Sequence, residues 1–406
     1  MIKFPEGFLW GAATSAHQVE GNNENNDWSR WEKTSGLKEL SGPACRHYEL
    51  YKEDFDMVRS LGHNCHRLSI EWSRIEPEEG KFLQREIDHY IDVINQLKAR
   101  NIEPIVTLHH FTNPLWFTAI GGWENKDASA YFSRYVEKIV SVLCDKVHYW
   151  VTINEPTVYA YYSYLIAKWP PQEKSFSKYK KVVDNFAFAH IESYKMIHKI
   201  YKDRKLPSPA VSIAQYIRSF VPHKYNLKNM FAAYLKSHIF NHSLIMKLAR
   251  AHSLDFLGVN YYSRDLIDVR SWNMSSILFD TYKGELPETK KNSMGWDIYP
   301  EGLLSNLLEL KRYHLPVFIL ENGICTDNDS ERWDFISSHL KKLHEAMEHG
   351  VNVLGYTYWS LIDNYEWSEG YSPRFGLIEV DYNTFKRTSR ESAKKFSQVC
   401  KTGILE

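Results

Sequence analysis

The chain has 406 residues, with 50 Lys plus Arg balanced by 50 Asp plus Glu, so it lacks the basic surplus of a nucleic-acid or anionic-membrane binder. Hydrophobic residues make up 43% and charged residues 25%, which excludes global disorder and supplies apolar mass for a large core. Aromatic residues reach 15%, with 13 Trp; such rings fill cores, and their flat apolar faces with polar tips also stack on sugar rings. No stretch has transmembrane length, and Met1 to Gly7 lacks the charged and apolar regions of a secretory signal, so a cytoplasmic location is expected. Cys45, Cys65, Cys144, Cys325 and Cys400 are scattered, odd in number and without a C-x-x-C pair, which points to buried free thiols.

No linker, charge block or low-complexity run interrupts the pattern, so a single domain over 1–406 is expected. The first predicted strand covers Phe8 to Ala13. A helix at Leu50 to Leu61 precedes a strand at Asn64 to Ile70, a helix at Arg85 to Arg100 one at Pro104 to His109, and a helix at Asp127 to Leu143 one at Val147 to Ile153. The alternation continues with a helix at Lys180 to Lys202 and a strand at Ala210 to Gln215, then Asn229 to Ala251 and Phe256 to Asn260. Helices at Glu301 to Arg312 and Arg332 to Glu348 lead into strands at Pro316 to Leu320 and Val353 to Trp359, and a helix at Ser389 to Val399 ends the series. Apolar strands alternating eight times with amphipathic helices predict an α/β fold, a (β/α)8 TIM barrel with its active site at the C-terminal ends of the strands.

Polar residues at those strand ends are the candidates for chemistry: Arg67 and Glu71, His109 and His110, Asn154 and Glu155, Asn260 and Tyr262, Glu321 and Asn322, and Trp359. Two ends share one form. Thr152-Ile153-Asn154-Glu155-Pro156 closes the fourth strand and Phe318-Ile319-Leu320-Glu321-Asn322-Gly323 the seventh, across the mouth of a barrel from one another. Cleavage of a glycosidic acetal needs one carboxyl as an acid and a second as an anion, which two opposed glutamates supply. His109 and His110 are adjacent on a strand and point to opposite faces, so a metal site is not expected, nor is any cofactor.

These motifs, in this order, resemble the family 1 glycoside hydrolases, retaining β-glycosidases built on a (β/α)8 barrel. The resemblance runs from Phe8-Leu9-Trp10-Gly11-Ala12-Ala13-Thr14-Ser15-Ala16-His17-Gln18-Val19-Glu20-Gly21 through both carboxylate motifs. It continues over Trp359-Ser360-Leu361 and Asn364-Tyr365-Glu366-Trp367 to Arg374-Phe375-Gly376-Leu377-Ile378. It implies Glu155 as general acid/base and Glu321 as nucleophile, with Arg67, Asn260 and Tyr262 supporting the nucleophile and transition state. It further implies Gln18, His110, Asn154 and Glu366 as readers of sugar hydroxyls, Trp359 as the floor under the ring, Trp367 and Phe375 beside it, and Trp296 of Met294-Gly295-Trp296 on the aglycone side. The substrate implied is a small β-glycoside or oligosaccharide: β-glucosides, with related β-galactosides or β-fucosides, cleaved from the chain end. No nucleic-acid or membrane partner is implied, and homo-oligomer formation is left open.

Two departures stand out. Phe111 occupies a position where the family commonly has Trp, which removes an indole N–H donor. The segment from Phe240 to Asp255 is short for the family, which predicts a wider aglycone entrance. Two rivals share the fold. A 6-phospho-β-glycosidase needs a cation for its phosphate, yet the expected Lys and Tyr are replaced by Ser372, Pro373 and Phe375, and an anionic Glu366 would repel phosphate. A glycan-binding barrel of weak or no activity is disfavoured because both glutamates are intact.

Overall fold

The computed structural model describes residues 1–406 apart from Glu285, Pro287 and Glu288. Eight parallel strands close into a barrel: β1 (Leu9–Ala13), β2 (Cys65–Ser69), β3 (Glu103–His109), β4 (Tyr149–Asn154), β5 (Ala210–Tyr216), β6 (Leu257–Asn260), β7 (Val317–Asn322) and β8 (Val353–Trp359). Each corresponds to a strand expected from the apolar pattern. Neighbours in the barrel follow chain order, and β8 completes the ring against β1, with Tyr356 opposite Trp10 and Trp359 opposite Ala13.

The period of two along the strands sorts side chains into two cores. Cys65, Ile105, Val151, Ala214, Phe318 and Leu320 fill the barrel interior, whereas Leu68, Val106, Ile153 and Ile319 point outward into the layer shared with the helices. That layer is made by α1 (His47–Ser60), α2 (Gln84–Ala99), α3 (Ala128–Leu143), α4 (Phe176–Asp203), α6 (Ser243–Arg250), α8 (Pro300–Leu310), α9 (Asp329–Glu348) and α10 (Glu391–Thr402), while α5 (Leu227–Lys236) and α7 (Met274–Phe279) pack together in a smaller cluster of their own. Polar ties pin helices to strands where burial demands a partner. His190 of α4, fully buried, meets Thr152 Oγ1 at 2.7 Å and the Ser253 carbonyl at 2.6 Å, which satisfies both ring nitrogens.

The single helix expected over Asn229 to Ala251 is instead two, α5 and α6, joined by wider turns over Ser237–His242. The Ser243 hydroxyl donates to the Ile239 carbonyl at 2.6 Å, a side-chain bond of the kind that opens a helical turn. From α6 the chain runs to Asp255, whose N–H donates to the carbonyl of Val211 at the start of β5, on the face opposite the strand C-termini. The segment from Phe240 to Asp255 therefore runs from the wall of a cavity near the mouth, which Phe240 lines, to the base of the barrel.

Short elements decorate the frame. Ser219–Pro222 pairs in parallel with Arg264–Ile267 just beyond the ends of β5 and β6, and α5 packs on this small sheet. All five cysteines are buried and free. Among the described residues, no helix is long and apolar enough to cross a membrane.

Candidate active site

The apolar runs that mark β4 and β7 in the sequence stop before their polar ends, but the strands continue through Asn154 and Asn322. The pairing register shifts between Val151 and Asn154 on β4, and between Ile319 and Glu321 on β7. Such irregularities re-aim side chains: Leu320 faces the barrel interior, and Glu321, one residue on, lines the cavity at the mouth. Gly323 of the Glu-Asn-Gly motif is needed for space, because a Cβ there would lie 1.8 Å from the Trp359 carbonyl oxygen. The end of β7 can therefore press against the end of β8.

Glu321 is held by a cation and a phenol. Arg67 Nη1 donates to Oε1 at 2.5 Å and the Tyr262 hydroxyl to Oε2 at 2.6 Å. Arg67 is 1% exposed and spends its remaining donors on the Leu320 carbonyl, Thr107 Oγ1 and Asn154 Oδ1, the last at 2.7 Å. Burial, with the Glu321 and Glu155 charges, keeps the Tyr262 phenol protonated, with a pKa well above the usual value.

Glu155 has the opposite surroundings. Burial first, then the negative charges of Glu321 and Glu366, push its carboxyl up to about 8, against the opposing effects of the Asn260 bond and Arg67. Asn260 Nδ2 donates to Oε1 at 2.8 Å. The backbone of Glu155 is left-handed, with φ 43°, and Pro156 follows it as the first residue of a short helix over Pro156–Ala160. A non-glycine residue held there stores strain of the sort that accompanies functional positions.

A cavity of about 760 Å³ gathers both glutamates with Gln18, His110, Asn154, Tyr262, Trp296, Trp359, Glu366, Trp367 and Phe375. Arg67 and Asn260 stand behind this wall and touch it through Glu321, Asn154 and Glu155. His110 packs face to face with Trp359 and Trp367, at 6.0 and 6.2 Å between centroids. Burial and the Arg67 charge hold its pKa well below the usual histidine value, so it is neutral. The Asn154 amide oxygen accepts from Arg67 and Asn260, which leaves Asn154 Nδ2 to donate to His110 Nε2 at 3.1 Å. The ring proton is thereby placed on Nδ1, a buried atom without a partner among the described residues. Gln18 Nε2 donates to Asn364 Oδ1 and the Tyr365 carbonyl, and lies 3.3 Å from Glu366 Oε2.

Three of the polar strand-end residues turn away from the cavity. His109 meets Asn113 Oδ1 and packs among Trp123, Phe132 and Phe186 on the helix side, as opposed faces require. Glu71 accepts from Ser73 and Thr112, and Asn322 bridges the Tyr261 carbonyl and the Tyr356 hydroxyl. Phe111 does line the cavity, its ring against Trp169 and Trp367 at 5.1 Å each. Tyr162, Lys168, Trp169, Tyr216 and Arg218 line it as well. Tyr216 ends β5, so the strand-end rule would have found it had that end been read; Tyr162 sits in a short helical segment, Tyr161–Leu165, and Lys168, Trp169 and Arg218 sit on loops without a local signature.

Glu366 corrects one argument. Partial burial and the Glu321 and Glu369 charges push it up to about 8, so it is largely neutral near pH 7 and its charge is a poor guard against phosphate. The cations at the cavity are the better criterion. Arg218 pairs with Asp265 at 2.9 Å and Lys168 with Glu369 at 2.8 Å, so both are already committed to carboxylates.

A closed parallel barrel with two differently environed glutamates across its mouth is the architecture of a glycoside-cleaving enzyme. The sequence profile of glycosyl hydrolase family 1 matches residues 1–249 and 240–404, and the chain belongs to this family. It is similar to a 1,4-beta-D-glucan glucohydrolase of Thermotoga neapolitana, with 33% identity over 100% of both chains. Among solved structures it is similar to a beta-glycosidase from Pyrococcus horikoshii, with 40% identity, a TM-score of 0.93, and 99% of this chain and 96% of that one covered. It is also similar to the beta-glucosidase from Thermotoga maritima in complex with glucoimidazole, with 30% identity, a TM-score of 0.91, and coverage of 99% and 100%. The curated relatives also include a 6-phospho-beta-galactosidase of Clostridium acetobutylicum, with 30% identity over 98% of this chain and 97% of that one.

Proposed function

We propose that this β-glucosidase-like enzyme removes terminal, unphosphorylated β-linked glucose, and the related galactose or fucose, with retention of configuration. The asymmetry of the two glutamates carries the reading. Glu155, pushed up to about 8, arrives protonated and gives its proton to the glycosidic oxygen as the C–O bond breaks. Glu321, oriented by its bonds from Arg67 and Tyr262, adds through its carboxylate to the anomeric carbon and forms a glycosyl ester as the aglycone leaves. The Glu155 carboxylate then takes a proton from water, whose oxygen displaces Glu321 and releases the sugar with its original configuration. Trp359 and the His110 and Asn154 pair support the ring and its hydroxyls. The two cavity cations, each paired with a carboxylate, favour neutral over phosphorylated sugars. Five buried free thiols fit the reducing conditions of a cytoplasmic location.

The test is leaving-group dependence on nitrophenyl and alkyl β-glucosides. Glu321→Gln is expected to lose turnover of all of them, while Glu155→Gln retains most of the first step with nitrophenyl and loses it with alkyl leaving groups. Equal losses in the two variants on both substrates would reject the division of roles, and a folded wild type that binds but cleaves nothing would mark a glycan-binding barrel. Preferential cleavage of 6-phospho-β-glucosides would overturn the choice of neutral sugars.

A further inference from the structure

Outside the catalytic cavity, and sharing no lining residue with it, lies a separate cavity of about 1030 Å³, larger than the 760 Å³ at the two glutamates. A short helix over Asp27–Thr34 forms one side of it, Gly121 and Gly122 in the loop after β3 another, and Pro170 and Pro171 a third. Only a layer of rings divides the two cavities. Trp28, fully buried, packs at 5.2 Å against Trp31 of the separate cavity, and at 4.6 and 5.3 Å against Trp367 and Trp169 of the catalytic one. Tyr159, on the outer side, likewise stacks on Phe111 at 6.4 Å.

The wall combines a fixed aromatic face with polar groups of both kinds. Trp31 is half-buried and held edge-on by Trp28, with 83° between the ring planes, so its orientation is set before any ligand arrives. Asp27 stands one helical turn before Trp31, on the same face, and is 6% exposed. Its Oδ1 accepts from the backbone N–H groups of Trp28 and Asn113. Oδ2, among the described residues, accepts from Asn113 Nδ2 alone, at 2.8 Å, which leaves a lone pair for a ligand hydroxyl. Burial pushes this carboxyl up to about 6 against the opposing bonds from Asn113 and Trp28, so near pH 7 it is chiefly the carboxylate. Arg30, exposed, lines the cavity too and makes one long contact, 3.4 Å to Thr118 Oγ1. Glu124 and Glu173 are joined by Lys178 Nζ at 3.4 and 2.8 Å, which offsets part of their charge. Among the described residues no acids, histidines or cysteines gather closely enough to hold a metal ion. A ring with an apolar C–H face and hydroxyls at its edge is what such a wall accommodates.

We propose that this separate cavity is a non-catalytic binding site for a neutral saccharide, a glucose unit or a short β-linked glucan, stacked on Trp31 with hydroxyls donating to Asp27 and accepting from Arg30. Glu155 and Glu321 both lie outside it, so a sugar held there is bound and not cleaved. Binding at this site does not depend on turnover at the barrel mouth.

The experiment is equilibrium dialysis of the full chain against labelled thiocellobiose, whose sulfur linkage resists hydrolysis, at millimolar concentrations. Two equivalents per chain are expected in the wild type, one in each cavity. Trp31→Ala is expected to weaken one of them about tenfold or more, through loss of the stacking ring, and to leave the other. Arg30→Ala, a change at an exposed position, is expected to weaken the same equivalent roughly two- to tenfold, and it carries the test if the Trp31 variant does not fold. Both variants should cleave nitrophenyl β-glucoside as the wild type does. A single equivalent in the wild type would overturn the proposal. Two equivalents of unchanged affinity in a folded Trp31→Ala chain would place the second sugar elsewhere and overturn it too. A wild type that binds two equivalents and cleaves no glucoside would instead overturn the hydrolytic reading and leave this site standing.

Discussion

The side-chain amide of Asn260, at the end of β6, donates to Glu155 at the end of β4 across 2.8 Å, two strands away around the barrel. The same residue lies in backbone register with Glu321 on the neighbouring strand. One amide thus contacts the acid while its backbone sits beside the nucleophile. Its bond favours the charged form of Glu155 and opposes the upward push of burial. Asn260→Ala is therefore expected to move the alkaline limb of kcat/KM to higher pH by about half a unit to one unit, consistent with a lost bond of roughly 1 kcal/mol. A pH–rate profile of the variant beside the wild type reads this shift directly.

The alkaline limb itself reports two groups. Glu155 and Glu366 are both pushed up to about 8, and each raises or feels a neighbouring carboxylate. Activity should fall as pH rises through about 8, with an apparent midpoint that belongs to the set and not to one residue. Glu366→Gln removes a negative charge that raises Glu155, so the limb should move to lower pH while KM for glucosides rises. An unmoved limb in Glu366→Gln would show that the two do not interact.

Stability should carry the same signature with a definite sign. An ordinary glutamic acid titrates near 4.5, whereas Glu155 in the folded chain holds its proton to about 8. Between these values unfolding releases a proton, so the contribution of this group is complete below 4.5 and lost as pH rises through about 8. Gln does not titrate. Glu155→Gln is expected to match wild type near pH 4.5 and to exceed it at pH 8 by on the order of 4 kcal/mol in urea unfolding.

Tyr262 gives Glu321 its second oxygen contact, at 2.6 Å. Tyr262→Phe deletes only the hydroxyl and keeps the ring against Trp296 and Phe375. A bond to a charged acceptor contributes roughly 1.5–3 kcal/mol, so turnover should drop about 10- to 100-fold with little change in melting temperature. A large loss of melting temperature in this variant would assign the hydroxyl to packing instead.

The barrel was legible in the sequence because each strand is an apolar run bounded by turns, and those runs coincide with β1 to β8 within two residues. What the pattern could not carry lies at the polar strand ends. Asn154 and Glu321 read as residues after a strand, since the apolar run stops before them, yet both belong to strands whose register shifts turn them toward the mouth. The resemblance to family 1 brought Gln18, Glu366 and Trp367 to the cavity wall, and all three line it. Trp169 went unread because a loop aromatic has no periodicity to betray its direction, and Tyr162 because its helical segment, Tyr161–Leu165, is too short to show one. The break between α5 and α6 was missed for a related reason: the hydrophobic spacing runs through it, and the side-chain bond from Ser243 to Ile239 is invisible to spacing.

The join between β8 and β1 places the last strand of the barrel beside the first. During synthesis β1 and β2 can pair early, but the far edge of β1 has no partner until Val353–Trp359 has left the ribosome. For most of translation the emerging half-barrel therefore shows two open strand edges and an apolar inner face. Closure depends on contacts between the most distant parts of the barrel sequence, the kind of topology that folds slowly. A substitution that weakens the β8–β1 seam, such as a bulky residue at Gly355, where a Cβ would strike the Leu9 carbonyl oxygen at 2.5 Å, should reduce the yield of soluble protein made in cells more than it reduces the activity of the molecules that do close.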